Sequence, residues 1–205
     1  GMDLTNELNK QNLDIRYWSV DVRDSNQVSG GVLAATQWLE GIDILINLAG
    51  VLQGASLDID EFPDEIWDSV ISINLTGSYL MSKHVGSLMK KQKSGTIILT
   101  SSGAGVLGSS SSFAYGSSKG GVHGLSLVLE DKLSKYGIRV HDILPGSVDT
   151  PLKNGKIETT RDITGNETEY SKIKKVLANP TGVANIIYFM CSDEASLLKG
   201  SIRTA

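Results

Sequence analysis

The chain has a single cysteine, Cys191, so no internal disulfide braces it. No Cys or His pair stands at a metal-ligating spacing, and a reducing, cytoplasmic setting follows as the expectation. No run of about 18 apolar residues occurs. The N-terminus is polar rather than signal-like, so neither a membrane span nor a secretory leader is read. Charge of one sign is also lacking: 23 acidic residues face 19 basic ones, interspersed, for a net charge of -4. That balance argues against nucleic acid or an anionic membrane as partner. Internal repeats are absent, and Ser109–Ser112 is the one low-complexity patch.

What is present is ordinary globular material. Of 205 residues, 40% are hydrophobic and 20% charged, enough for one domain with a sizeable core and no obvious seam. Asp3–Asn12 reads as the polar end of a helix, and Asp14–Val20 as a strand ending at Asp21-Val22. Asn26–Glu40 carries apolar residues at helical spacing and stops at Gly41, as a helix C-cap should. Ile42–Ile46 is almost wholly apolar, the pattern of a central parallel strand covered on both faces. Phe62–Lys91 reads as a long helix broken near Asn74-Leu-Thr-Gly77. Thr96–Thr100 is a buried strand, Ala114–Tyr136 a helix, and Val140–Leu144 a strand ended by Pro145-Gly146. Leu152–Asn179 turns polar and reads as a long loop with a helix around Tyr170–Leu177, a substrate lid. Thr181–Cys191 closes with a helix. Strands alternating with helices imply an α/β fold with a parallel sheet and ligands at the carboxyl ends of its strands.

Chemistry points first to Tyr115-Gly-Ser-Ser-Lys119. The i, i+4 spacing places both side chains on one helical face. A phenol of pKa about 10 is a poor acid or base at neutral pH, and a neighbouring ammonium favours phenolate. Lowering it to about 7 takes roughly 4 kcal/mol of differential interaction. The spacing alone decides nothing, since Tyr170-Ser-Lys-Ile-Lys174 repeats it. Context separates the two: Tyr115 follows a buried strand that runs into Ser101-Ser102. The position as far before Tyr170 as Ser102 is before Tyr115 holds Ile157.

These residues carry a resemblance. Asn47-Leu-Ala-Gly50 after a strand is similar to the Asn-Asn-Ala-Gly motif of the short-chain dehydrogenase/reductase family. Thr100-Ser-Ser102, Tyr115-x-x-x-Lys119, Asn74 and Pro145-Gly-Ser-Val-Asp-Thr150 match its further motifs in order, over roughly residues 14 to 205. The resemblance implies a Rossmann-type, doubly wound parallel sheet in three layers and an NAD or NADP cofactor. It implies an oxidoreductase that interconverts a secondary alcohol and a ketone, working as a homodimer or homotetramer. It implies Tyr115 as general acid in reduction and base in oxidation. Lys119 would lower its pKa and hold the nicotinamide ribose, Ser102 would donate to the substrate oxygen, and Asn74 would hold a water linking Lys119 to solvent. Asp21 and Val22 would meet the adenine edge. Asn47, Ala49 and Gly50 would line the cofactor, and Pro145, Gly146, Val148 and Thr150 would frame the carboxamide.

Plainer roles compete. Asn47 can simply tie strands together, Asp21 can be a turn residue, and Gly50 and Gly146 can serve only turn geometry. His84, His123 and His141 show no partner pattern and read as surface or core residues. Trp18, Trp38 and Trp67 read as core or interface.

Two departures from the family matter. Leu48 replaces the second Asn, and the Gly-rich turn Thr-Gly-x-x-x-Gly-x-Gly, which cradles a pyrophosphate at a helix N-terminus, is absent. The N-terminal βα units are thus expected to be missing from residues 1–205. The sheet should then show a raw edge, and this stretch alone should bind nicotinamide cofactor weakly. A member of the same fold acting as a non-catalytic binding or regulatory protein is the alternative, opposed by Ser102, Tyr115, Lys119 and Asn74. A nucleotide-sugar epimerase is a further alternative, opposed by the lack of a second domain.

Overall fold

The computed structural model describes residues 1–108, 110–165 and 167–204. In chain order its helices are α1 (Met2–Asn9), α2 (Ser25–Leu39), α3 (Asp64–Ile71), α4 (Gly77–Gln92), α5 (Phe113–Leu133), α6 (Pro151–Thr164), α7 (Glu167–Lys175) and α8 (Pro180–Cys191). Four strands, β1 (Ile44–Ile46), β2 (Gly95–Thr100), β3 (Ile138–Leu144) and β4 (Gly200–Arg203), form one wholly parallel sheet in that spatial order.

Alternation along the strands sends side chains to two faces. Ile97, Leu99, Ile138 and Val140 meet Val85 and Met89 of α4 and Val122 and Leu133 of α5. On the other face Ile98 and Ile143 meet Ile187 and Met190 of α8. The result is three layers, helix on sheet on helix, the architecture expected from the alternating elements.

Several local expectations change. Ile42–Ile46 is not a strand covered on both faces. Only Ile44–Ile46 is paired, β1 is the outermost strand, and Ile44 and Ile46 are exposed, because no described strand or helix covers that side. Asp14–Val20 forms no strand, since none runs alongside to share its hydrogen bonds. It lies over α2 instead: Trp18 and Trp38 meet at a tilt of 59° with ring centres 5.7 Å apart, Arg16 sits over Trp38 at 5.2 Å, and Val20 packs on Gly31. The left-handed residue that ends α2 is Glu40, at φ 60°, one position before Gly41. The break near Asn74 is a π-helical turn, Ser72–Thr76, between α3 and α4; such turns recur at functional sites.

Leu152–Asn179 is not a long loop, for α6 and α7 occupy most of it. Thr150 caps α6 by accepting from the Lys153 N–H, Pro151 takes the first turn, and Gly165 ends the helix at φ 65°. β4 had no strong sequence signal, being four residues at the sheet's edge with Ile202 as its sole apolar side chain. No described helix is long and apolar enough to cross a membrane.

Candidate active site

A cleft of about 550 Å³ opens at the carboxyl ends of β1, β2 and β3. Residues that follow each strand build it: Leu48, Gly50 and Leu52 after β1, Ser101–Ala104 after β2, and Pro145–Val148 with Thr150 after β3. Leu152 and Lys153 of α6 and Val183 and Ile187 of α8 close the far wall.

α5 delivers the chemistry. Ser112 caps it, accepting from the Tyr115 N–H and donating to the Gln53 carbonyl at 2.7 Å, which ties the start of the helix to the β1 loop. Tyr115 occupies the first turn and Lys119 the next, both lining the cleft. Lys119 is 5% exposed; its Nζ donates to the Thr100 carbonyl at 2.7 Å and lies 5.7 Å from the Tyr115 ring centre. Ser102 lines the same cleft, its hydroxyl near enough to the Tyr115 phenol to act on it.

The electrostatics differ from the expectation that Lys119 lowers the phenol. Burial pushes Tyr115 above its ordinary value, and the neighbouring Ser102 hydroxyl pulls it back only in part. Burial also draws Lys119 down to about 8, against the opposing field of Asp142. Desolvation outweighs the mutual effect of the pair because both groups lie in the wall of the fold. The phenol is therefore held in its neutral, proton-donating form.

Asn74, in the π turn, is fully buried. Its Oδ1 accepts from the Val51 N–H at 2.8 Å, and its Nδ2 donates to the Val51 carbonyl and to Ser118 Oγ, each at 2.9 Å. Its own carbonyl accepts from Ser78 at 2.6 Å. The side chain thus clamps the turn that carries Gly50. A Cβ on Gly50 would stand 3.4 Å from Asn74 Oδ1 and 3.5 Å from Lys119 Nζ. The glycine keeps that space open, and a cofactor passing close to the backbone needs such space. Gly50, Lys119, Tyr115 and the Pro145–Thr150 segment fit a nicotinamide nucleotide in this respect.

Other expected cofactor residues stand apart from the cleft. Asp21 is clasped by Arg23, whose Nη2 approaches to 2.6 Å, and that guanidinium holds its carboxyl down to about 2. Val22 packs against Gly77, where any side chain would collide with it. Asn47 is buried and donates to Ser78 at 2.8 Å, a tie between β1 and α4; Ala49 is exposed. Pro145, Gly146, Val148 and Thr150 do line the cleft, although Thr150 is also the α6 cap. The side chain of Tyr170 lies outside the described residues.

Sequence reasoning missed the polar group beneath the site. His123 does have partners: its Nδ1 lies 3.0 Å from Asp142 Oδ2 and 3.2 Å from Ser201 Oγ. They come from β3 and β4, so no spacing within α5 shows them. A usable signal existed in Asp142 itself, a carboxylate inside a buried strand, which must find a partner.

Residues 2–161 match the family of short chain dehydrogenases. An uncharacterized oxidoreductase of Thermotoga maritima is 32% identical over 195 residues, covering 95% of this chain and 75% of that protein. An NAD+-bound xylitol dehydrogenase is similar in structure at a TM-score of 0.90, with 25% identity over 100% of this chain and 83% of the other. An actinorhodin polyketide ketoreductase with NADPH superposes at 0.91, with 26% identity over 100% of this chain and 81% of its own.

Proposed function

This chain belongs to the short-chain dehydrogenase family, and from that premise we propose that it is an NAD(P)-dependent oxidoreductase interconverting a secondary alcohol and a ketone, with Tyr115 as its acid/base. The observation that carries the reading is the convergence of Ser102, Tyr115 and Lys119 in one cleft, with the phenol kept protonated by burial.

The bound nicotinamide supplies or accepts the hydride. In the reducing direction a carbonyl oxygen placed between Ser102 and Tyr115 meets two hydroxyl donors aimed at the charge it develops. Tyr115 then gives its proton to that oxygen. Lys119 faces the resulting phenolate as an ammonium, seated on the Thr100 carbonyl. Lys119, Tyr115, Gly50 and the Pro145–Thr150 segment hold the cofactor. Asn74 serves by clamping the turn behind Gly50 rather than by reaching into the cleft. The apolar far wall, with Leu152, Val183 and Ile187, suits a small, largely hydrocarbon alcohol or ketone. We place the enzyme in the cytoplasm as a homodimer or homotetramer joined through the α4–α5 side, where Leu127 and Val128 are exposed; light scattering reads that state directly.

The test is an assay of secondary alcohols and ketones with each nicotinamide cofactor, following the absorbance of the reduced form. Turnover should appear with at least one pairing. Tyr115→Phe should lower it by about 100-fold or more. Equal turnover by the variant would remove Tyr115 from its role. Cofactor binding with no turnover on any pairing would favour the non-catalytic alternative.

A further inference from the structure

Asp142 points from β3 toward α5 and is 1% exposed. A carboxylate so deep needs close partners. Ser101 gives its N–H to Oδ1 at 3.0 Å and its hydroxyl to Oδ2 at 2.7 Å. His123 brings Nδ1 to 3.0 Å of Oδ2, and Ser201 brings its hydroxyl to 3.4 Å. Ser201 and Asp142 meet the same ring nitrogen of His123. This is therefore no nucleophile–base–acid relay, in which they would occupy opposite nitrogens.

The Ser101 N–H and the Thr100 C=O belong to one peptide group. That carbonyl accepts from Lys119 Nζ at 2.7 Å, while the N–H is shared at 3.0 Å between Asp142 Oδ1 and the Ile143 carbonyl, so a single amide plane bears an ammonium on its oxygen and a carboxylate at its nitrogen. Each partner polarises the amide in the sense that strengthens the other bond. The next residue, Ser102, lines the cleft beside Tyr115 and favours the ionised form of its phenol.

We propose that Asp142 is a positioning residue of this site, acting through the Thr100–Ser101 peptide to keep Lys119 a seated ammonium and Ser102 in register with Tyr115. The inference rests on the reading of Tyr115 and Lys119 as the acid/base pair. Asp142 touches neither substrate nor cofactor in it. The titratable groups facing Asp142 both come from α5, Lys119 and His123, while the segment after β2 presents the Ser101 N–H and hydroxyl and strand β4 the Ser201 hydroxyl. Its charge opposes the burial that draws Lys119 down. Without that charge Lys119 should lose its proton at lower pH.

The experiment is a titration of the Lys119 side chain by NMR of carbon-labelled lysine, beside the pH profile of ketone reduction. In Asp142→Asn the Lys119 midpoint should fall by about one pH unit, a tenfold loss of proton affinity. The alkaline limb of kcat should move down with it, while KM for the ketone changes by about twofold or less. A purely structural role would lower kcat equally at every pH and leave the midpoint alone, and that result overturns the inference. His123→Leu breaks the same buried cluster but keeps the carboxylate, so the midpoint should hold or rise. If Asp142→Asn fails to fold, a falling midpoint in His123→Leu overturns the inference and a steady or rising one sustains it. A wild-type chain that reduces no ketone, with a midpoint that still drops in Asp142→Asn, refutes the acid/base reading and leaves the coupling of Asp142 to Lys119 standing. An active wild type with an unmoved midpoint does the reverse.

Discussion

Asn74 Nδ2 donates to Ser118 Oγ across 2.9 Å, joining the π turn to the residue beside Lys119 on α5. The bond closes a loop of contacts: the Ser118 hydroxyl donates to the Tyr115 backbone carbonyl, and Asn74 grips both backbone groups of Val51. The two helices and the β1 turn are therefore positioned together.

Asn74→Asp keeps an acceptor for the Val51 N–H but removes both donors and buries a charge. Each buried group left without a partner costs about 1–3 kcal/mol. Urea unfolding should show a loss of about 2–4 kcal/mol, with turnover falling in the folded fraction as well. A stability within 1 kcal/mol of wild type, by that order-of-magnitude scale, would mean the clamp is not needed.

The two reaction directions should respond to pH differently. Reduction draws on the neutral phenol, which burial favours, so its rate should stay level through neutral pH and fall above about 8 as Lys119 loses its proton. Oxidation needs phenolate and should rise with pH across the same range. Steady-state rates in both directions over a buffer series check this, and parallel profiles would contradict it.

Lys119→Met should abolish most turnover yet stabilise the fold near neutral pH. The folded-state pKa, about 8, lies below the 10.5 of a free lysine side chain, so the folded chain binds fewer protons between those two values. Holding the buried ammonium charged thus costs stability below pH 8, by at most about 3 kcal/mol, and the cost fades as pH rises toward 10.5. Unfolding midpoints of wild type and variant should converge with rising pH. A gap that widens would show the sign to be wrong.

Gly105→Ala should be severe although the residue lies outside any regular element. Gly105 has φ 84°, and a Cβ there would collide with the Gly116 carbonyl oxygen. Neither the backbone angle nor the helix can yield cheaply. A loss of about 2 kcal/mol or more in urea unfolding is expected, together with weaker substrate binding, since the 103–108 loop starts beside Ser102.

The main layers were legible because buried parallel strands carry apolar runs, unbroken in Ile97–Leu99 and interrupted by His141 and Asp142 in Val140–Leu144, and because α5 repeats Val122, Leu125 and Leu129 at helical steps. Ser102, Tyr115 and Lys119 were legible as a strand end followed by a one-turn spacing. Less of the rest was written locally. Asp14–Val20 has strand-like residues but no neighbour to pair with, and pairing is a property of two segments. α6 is polar enough to lack a clear apolar stripe, yet its ends were marked by Thr150-Pro151 and Gly165, which hydrophobic periodicity does not register. The bonds of Asp142 to Ser101 and His123 span the sheet and could not be read from either stretch alone.

The glycines where the 103–108 loop crosses α5 have an implication for changing what this enzyme accepts. Gly105 rests on the Gly116 carbonyl, and a Cβ on Gly120 would meet the Gly105 carbonyl at 2.9 Å, so loop and helix touch backbone to backbone with no side chains between them. Such a seam has no padding to trim, and alterations there transmit straight to Tyr115. The opposite wall, formed by α6 and α8, meets the cleft through side chains such as Leu152, Val183 and Ile187, which can be resized one at a time. Efforts to retune selectivity belong on that wall, where a new shape can be cut without disturbing the proton donor.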